Sequence, residues 1–213
     1  MIIKLSVKGF ADYMTATPAK QRKILRDYKY PQDDEAYAKR LYYREARDVV
    51  AAFHKNDHDH TWLGTKAEEL SNLGDSMGGQ SRQRLKHNSR GIRQYGDHFS
   101  DRRFEIQPDV RWKLVFGDVQ ISVVPDLVAV EKGKPKVVKL DFSNAEPNTE
   151  GSKIIAQCMF EAATGRVQNL TSSSVLYLDV ARGKELRGAR AGSRAMREIE
   201  AACQTIEAIW PQL

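Results

Sequence analysis

The spacing of apolar residues divides the chain into a helical first part and a β-rich second part. Apolar residues recur at helical spacing over residues 33–54, and shorter amphipathic segments cover residues 8–14, 18–26 and 65–73. Residues 80–99 are polar and basic, and are predicted to be helical in part, with interruptions at Gly91 and Gly96. The first 62 residues or so therefore look helical throughout.

From about Arg102 the period changes to two, which is typical of strands with one buried face. The pattern predicts strands at residues 111–116, 119–130, 136–142 and 174–180, and helices at residues 150–163 and 193–209. Gly117-Asp118 and residues 133–135 are turn signals that predict hairpins between successive strands.

The order of these elements predicts the fold class. Helices are followed by β-β-β-α-β and a last helix, which indicates an α/β (α+β) fold with one central mixed sheet of about four strands flanked by helices. We expect a helical N-terminal region, residues 1–78, packed on an α/β core, residues 79–213. The chain has 213 residues, which is enough to bury a core without disulfides.

Two acidic residues mark the ends of predicted strands. Asp126 follows the apolar run that ends in Val124-Pro125, and Asp141 ends the run before Phe142. Antiparallel strands joined by a short turn are neighbours, so these ends can bring both carboxylates together. Two carboxylates at one place repel each other unless a positive charge lies between them. A hard divalent cation such as Mg²⁺ or Mn²⁺ is one solution.

These residues and their order resemble the PD-(D/E)-x-K nuclease superfamily, and within it the RecB-like exonuclease branch. Pro125-Asp126 looks like the PD element, and Asp141-Phe142-Ser143 looks like the (D/E)-x-K element with Ser143 where the lysine belongs. The resemblance implies a restriction-endonuclease-like core and metal-dependent phosphodiester hydrolysis, with Asp126 and Asp141 as the metal-binding acids.

Three further positions are similar to that branch. Gln157 matches the glutamine of its helix motif, and would help to position water or backbone. The segment from Ser6 to Pro18 is similar to its N-terminal Ser…Pro segment. Glu68 stands where the branch has a histidine ligand, which makes it a weaker candidate for the metal.

The missing lysine has two candidate replacements. Lys139 lies two residues before Asp141, so strand alternation puts both side chains on one face of the sheet. Lys153 lies four residues before Gln157, hence on the same face of the next helix. Either ammonium could serve the site, and both lysines could also be ordinary surface residues. A site that has lost cleavage and kept DNA binding is the remaining alternative.

The net charge of +6 is concentrated in two arginine-rich segments, residues 80–113 and 182–197. Arginine suits phosphate because its guanidinium forks onto two oxygens, although solvated helix faces are also often charged. The charge is therefore compatible with an anionic partner, and the resemblance implies that this partner is DNA. The candidate nucleic-acid-binding residues are Arg82, Arg84, Arg90, Arg93, Arg187, Arg190 and Arg194.

The cysteines and histidines bear on whether other cofactors are present. Cys158 and Cys203 are the only cysteines and lie among apolar residues, so they are expected to be buried and reduced, with no iron–sulfur cluster. His54 and His58 have a spacing that can bind zinc, but the stretch reads better as a helix end, where a cationic histidine suits the helix dipole. No signal segment or membrane span is predicted, so we expect a cytoplasmic protein.

The leading hypothesis is a metal-dependent nuclease acting on DNA, in a repair, defence or mobile-element context. The first alternative is a catalytically inactive nuclease fold that binds DNA or serves as a scaffold subunit of a larger complex. The second is an α/β interaction module whose acids merely cap strand ends.

Overall fold

The structure is a computed structural model that describes residues 2–31, 42–145, 148–188 and 193–213. Within these ranges the fold is mixed α/β. The helices are α1 (Val7–Met14), α2 (Pro18–Lys29), α3 (Arg44–Lys55), α4 (His60–Ser76), α5 (Gly79–Phe99), α6 (Thr149–Ala163) and α7 (Ser193–Ile209). Of the helix predicted at residues 33–54, residues 44–54 are part of α3, and residues 33–41 lie outside the described residues.

The strands form two mixed sheets. They are β1 (Ile3–Ser6), β2 (Glu105–Ile106), β3 (Trp112–Phe116), β4 (Val119–Val123), β5 (Leu127–Glu131), β6 (Lys134–Asp141), β7 (Val175–Asp179) and β8 (Lys184–Arg187). One sheet has the order β1-β4-β3 and the other β2-β5-β6-β7-β8. Both predicted hairpins are confirmed, since β3 pairs antiparallel with β4, and β5 with β6.

The prediction of a single sheet with a strand at residues 119–130 is wrong. This stretch is two strands, and β4 and β5 belong to different sheets. Pro125 has no amide hydrogen and cannot continue a strand ladder, so the chain changes sheets between Val123 and Leu127. The β-branched residues on both sides of the break concealed it in the sequence.

The prediction that the chain begins entirely in helices is also wrong. Residues 3–6 form β1, which pairs in parallel with β4. Ile3 and Leu5 are buried while Lys4 and Ser6 are exposed, so the strand is only four residues long and its pattern is too short to recognise. Ser6 then begins α1, because its hydroxyl accepts a hydrogen bond from the Gly9 amide at 3.0 Å.

Helix α5 is continuous through both glycines that were expected to interrupt it. A Cβ atom at Gly91 would lie 2.7 Å from a ring carbon of Phe142, and one at Gly96 would lie 3.4 Å from Leu63. These glycines are places where the helix approaches its neighbours closely. Packing therefore offsets the low helix propensity of glycine.

The five-stranded sheet has a hydrophobic cluster on each face. Val137 and Val175 pack with residues of α1, α6 and α7 in one cluster. Val138 and Leu140 pack with residues of α3, α4 and α5 in the other. Alternate residues of β6 thus serve different clusters. Among the described helices, none combines the length and apolar character needed to cross a membrane.

Cys158 and Cys203 are buried and unpaired, as predicted. Burial raises the pKa of each thiol to about 12. Both thiols are therefore protonated at neutral pH and behave as small apolar side chains.

Candidate active site

Asp126 immediately precedes β5 and faces the neighbouring strand β6. Its amide donates to the Val138 carbonyl at 2.9 Å, which extends the β5–β6 register by one residue and places Asp126 opposite Lys139. The Leu140 amide donates to its Oδ2 atom at 2.8 Å. Only 4% of the Asp126 side chain is exposed, so this carboxylate needs partners inside the protein.

Two cations compensate the charge of Asp126. The Lys139 Nζ atom lies 3.1 Å from Oδ2 and 3.2 Å from Oδ1. Arg47, on α3, places Nη1 at 3.3 Å from Oδ1. Because removing one partner of a buried pair leaves an uncompensated charge, Asp126, Lys139 and Arg47 act as one electrostatic unit.

Asp141 lies on the same face of β6 as Lys139, two residues further along the strand. Its Oδ1 atom accepts a hydrogen bond from the Ser143 amide at 2.9 Å, and its Oδ2 atom accepts one from the Tyr177 hydroxyl at 2.6 Å. Burial raises the pKa of Tyr177, and the charge of Asp141 raises it further. Tyr177 is therefore a permanent proton donor to this carboxylate.

A third carboxylate stands beside Asp141. Strands β6 and β7 are parallel, and their register pairs Asp141 with Asp179. Asp179 is bound by Arg182, whose Nη1 atom lies 3.1 Å from Oδ2. The same guanidinium donates to the Asn144 and Ala145 carbonyls, so it ties the chain after β6 to the end of β7.

These residues form what we call the strand-end site: Asp126, Lys139, Asp141, Tyr177, Asp179, Arg47 and Arg182. The sequence indicated the first three, and it placed Lys139 and Asp141 on a shared face. It did not indicate the other four. Asp179 carried a usable signal, because it lies near the end of a predicted strand that follows a crossover helix, and parallel strands end at the same edge of a sheet.

The other predicted site residues have different surroundings. Lys153 is 58% exposed and pairs with Glu150 at 2.7 Å. The Gln157 amide donates to Glu161 at 2.8 Å and contacts the Met196 sulfur on α7. Glu68 is exposed on α4. Within the described parts of the chain, no hydrogen bond or ion pair links these three residues to the strand-end site.

The predicted DNA-binding arginines fall into two groups. Arg82, Arg84, Arg187 and Arg194 each pair with an acid, respectively Asp75, Glu45, Glu185 and Glu198. Arg90 and Arg93 are exposed on α5, and no ion pair or hydrogen bond engages them among the described residues. Arg190 lies outside the described residues. Of the predicted DNA-binding arginines that the structure describes, Arg90 and Arg93 are therefore the ones whose charge is not compensated by an acid.

The donor chemistry of the strand-end site suits a hard cation, since carboxylate oxygens are the ligands that Mg²⁺ and Mn²⁺ prefer. Yet Asp126 already accepts bonds from Lys139, Arg47 and a backbone amide. The described residues contain no cluster of three or more side chains of the usual metal-binding types. A bound ion would therefore take its other ligands from water and phosphate oxygens, as Mg²⁺ commonly does.

Comparison of the chain with protein-family models and with curated proteins found no match.

Proposed function

We propose that this protein is a metal-dependent nuclease that hydrolyses phosphodiester bonds of DNA at the strand-end site. The observation that carries the proposal is the position of Lys139, whose ammonium lies 3.1 Å from Asp126 on the sheet face that also holds Asp141. The proposal therefore assigns the role of the missing lysine to Lys139, which contacts Asp126 and shares a sheet face with Asp141, because Ser143 occupies the expected lysine position.

Asp126 and Asp141 would hold Mg²⁺ or Mn²⁺. Such an ion lowers the pKa of bound water and stabilises negative charge that develops on phosphate oxygens. In hydrolysis the water oxygen bonds to phosphorus, the P–O bond to the leaving strand breaks, and the leaving oxygen takes up a proton. Lys139 would orient the attacking water and stabilise charge on the phosphate. Arg47 would supply a second positive charge beside Asp126.

Substitution of the two candidate lysines tests the proposal. Lys139→Met keeps much of the apolar stem and should lower cleavage by about 100-fold or more, the usual effect of losing one preorganised charge stabiliser, with DNA affinity nearly unchanged. Lys153→Met is the matched control, because this exposed lysine pairs with Glu150, and it should cut like the wild type. Cleavage is measured on labelled single- and double-stranded DNA with Mg²⁺ and with Mn²⁺.

A second candidate function is DNA binding without cleavage, in a scaffold or recognition subunit. The full compensation of Asp126 by Lys139 and Arg47 favours it, since an ion would have to compete with two protein cations. The variant Ser143→Lys separates the two functions. If neither the wild type nor Ser143→Lys cuts DNA, while both bind it, the hydrolysis proposal is wrong and the binding function remains.

A further inference from the structure

An aromatic pair lies next to the strand-end site on the opposite face of β6. Phe142 directly follows Asp141, and its buried ring stacks against Tyr43 with the centroids 5.6 Å apart and the planes inclined by 29°. Tyr42 contacts the Tyr43 ring edge-on at 5.0 Å, and the Tyr42 hydroxyl is hydrogen-bonded to His87 Nδ1 at 2.7 Å. Tyr43 is only partly exposed, so its ring is held in place.

Arg90 comes directly before Gly91 on α5, the helix that packs against this pair. The neighbouring residue Gly91 touches the Phe142 ring, which sets α5 against the end of β6. Arg90 is exposed, and among the described residues no acid pairs with it. Six of the other arginines of the basic segments each have an acid partner.

Two charges act on the Tyr43 hydroxyl. Burial is the largest effect on the pKa of Tyr43 and raises it. Tyr42 and the charge of Asp141 also raise this pKa, whereas the charge of Arg90 lowers it. Arg90 also lowers the pKa of His87, after burial. Tyr43 is thus within electrostatic reach of both the Asp141 carboxylate and the Arg90 guanidinium, in agreement with the contacts through Phe142 and Gly91.

We propose that Tyr43 and Arg90 form a nucleotide subsite beside Asp141, in which Tyr43 stacks on an unpaired base and Arg90 binds the adjoining phosphate. An aromatic ring can stack on a base only where the base is free of a duplex, and a guanidinium binds phosphate through paired donors. The ligand is therefore a single-stranded segment of nucleic acid. The inference rests on the proposed function and deepens it, because it specifies that the nucleic acid entering the site is single-stranded. Its test does not depend on cleavage.

The test is binding of fluorescent oligonucleotides, measured by anisotropy in EDTA so that cleavage cannot occur. Tyr43→Leu should weaken binding of single-stranded oligothymidylate by about 10-fold, within the range for loss of one base–aromatic stack, and duplex binding by less than about 2-fold. Tyr43→Phe keeps the ring and should bind like the wild type. Arg90→Gln should weaken both ligands and lower the salt dependence of binding.

A strand with abasic sites in place of thymidines separates stacking from charge. The wild type should bind it more weakly than oligothymidylate, whereas Tyr43→Leu should bind both strands equally. The matched aromatic control is Tyr30→Leu, an exposed tyrosine at the end of α2 that contacts the C-terminal residue Leu213, and it should change nothing. Thermal melting checks that each variant is folded.

The outcomes are distinct from those for hydrolysis. If Tyr43→Leu and Arg90→Gln bind single strands as tightly as the wild type, the subsite is wrong whether or not the protein cuts DNA. If Tyr43→Leu weakens single-stranded and duplex ligands equally, base stacking is wrong. If the wild type never cuts but binds single strands through Tyr43, the subsite stands and the hydrolysis proposal falls.

Discussion

His54 is a buried imidazole at the end of α3 whose surroundings keep it neutral. Only 5% of the residue is exposed, and its Nε2 atom shares a 2.6 Å hydrogen bond with the Tyr95 hydroxyl. Its Nδ1 atom has no hydrogen-bond partner among the described residues. The pKa of His54 is lowered from 6.5 to about 3, mainly by burial and further by the charges of His58, Arg103 and Arg102. The prediction of a helix end at His54 is confirmed, but the interpretation of His54 as a cationic histidine there is wrong.

The lowered pKa makes the stability of the fold depend on pH. The unfolded chain takes up a proton at His54 near pH 6.5, while the folded chain resists it until about pH 3. The stabilising contribution is therefore complete above pH 6.5 and is lost as the pH falls from 6.5 towards 3. Between pH 7 and pH 5 the loss amounts to about 2 kcal/mol of the free energy of unfolding, from the proton linkage at this one group.

The variant His54→Gln isolates this contribution, because it lacks the titrating ring. The effects of all other titrating groups cancel in the difference between wild type and variant. Urea unfolding at pH 7, 6 and 5 gives the free energy of unfolding of both proteins. The difference between wild type and variant should shift by about 2 kcal/mol over this range, in favour of the variant at low pH. A difference that stays constant would show that His54 is not held neutral by the fold, and so would an NMR titration of the His54 ring near pH 6.5 in the folded protein.

Two further predictions concern α5 and its charges. Gly91→Ala places a methyl group 2.7 Å from Phe142 and should lower the free energy of unfolding by about 1–3 kcal/mol. The control Gly64→Ala meets nothing within 4 Å and should raise the free energy of unfolding by about 0.5–1 kcal/mol. Chemical unfolding of the two variants measures both effects. Equal effects would show that the close approach of α5 is unimportant. Charge reversal of Arg90 and Arg93 should weaken DNA binding uniformly across sequences and flatten its dependence on salt. Reversal of Arg194, which already pairs with Glu198, should change binding less. Titrations over a range of salt concentrations measure both effects, and an unchanged salt slope would contradict the prediction.

The local features of the candidate site can be predicted from the amino-acid sequence alone. Strand alternation placed Lys139 and Asp141 on one face, and a short turn made the strands next to Asp126 and Asp141 antiparallel neighbours. Both are confirmed, because the period of a strand and the geometry of a hairpin depend only on residues close together in the chain. The boundaries of α6 and α7 follow from local patterns for the same reason.

The distant residues that complete the site are recognised only once the chain is folded. Arg47 reaches Asp126 from a helix in the first part of the chain, and Asp179 meets Asp141 through a parallel pairing across α6. The exchange of sheets at Pro125 and the pairing of β1 with β4 are likewise long-range. Such contacts depend on how whole elements pack against one another. A local pattern of apolar and polar residues does not indicate which element will be the packing partner.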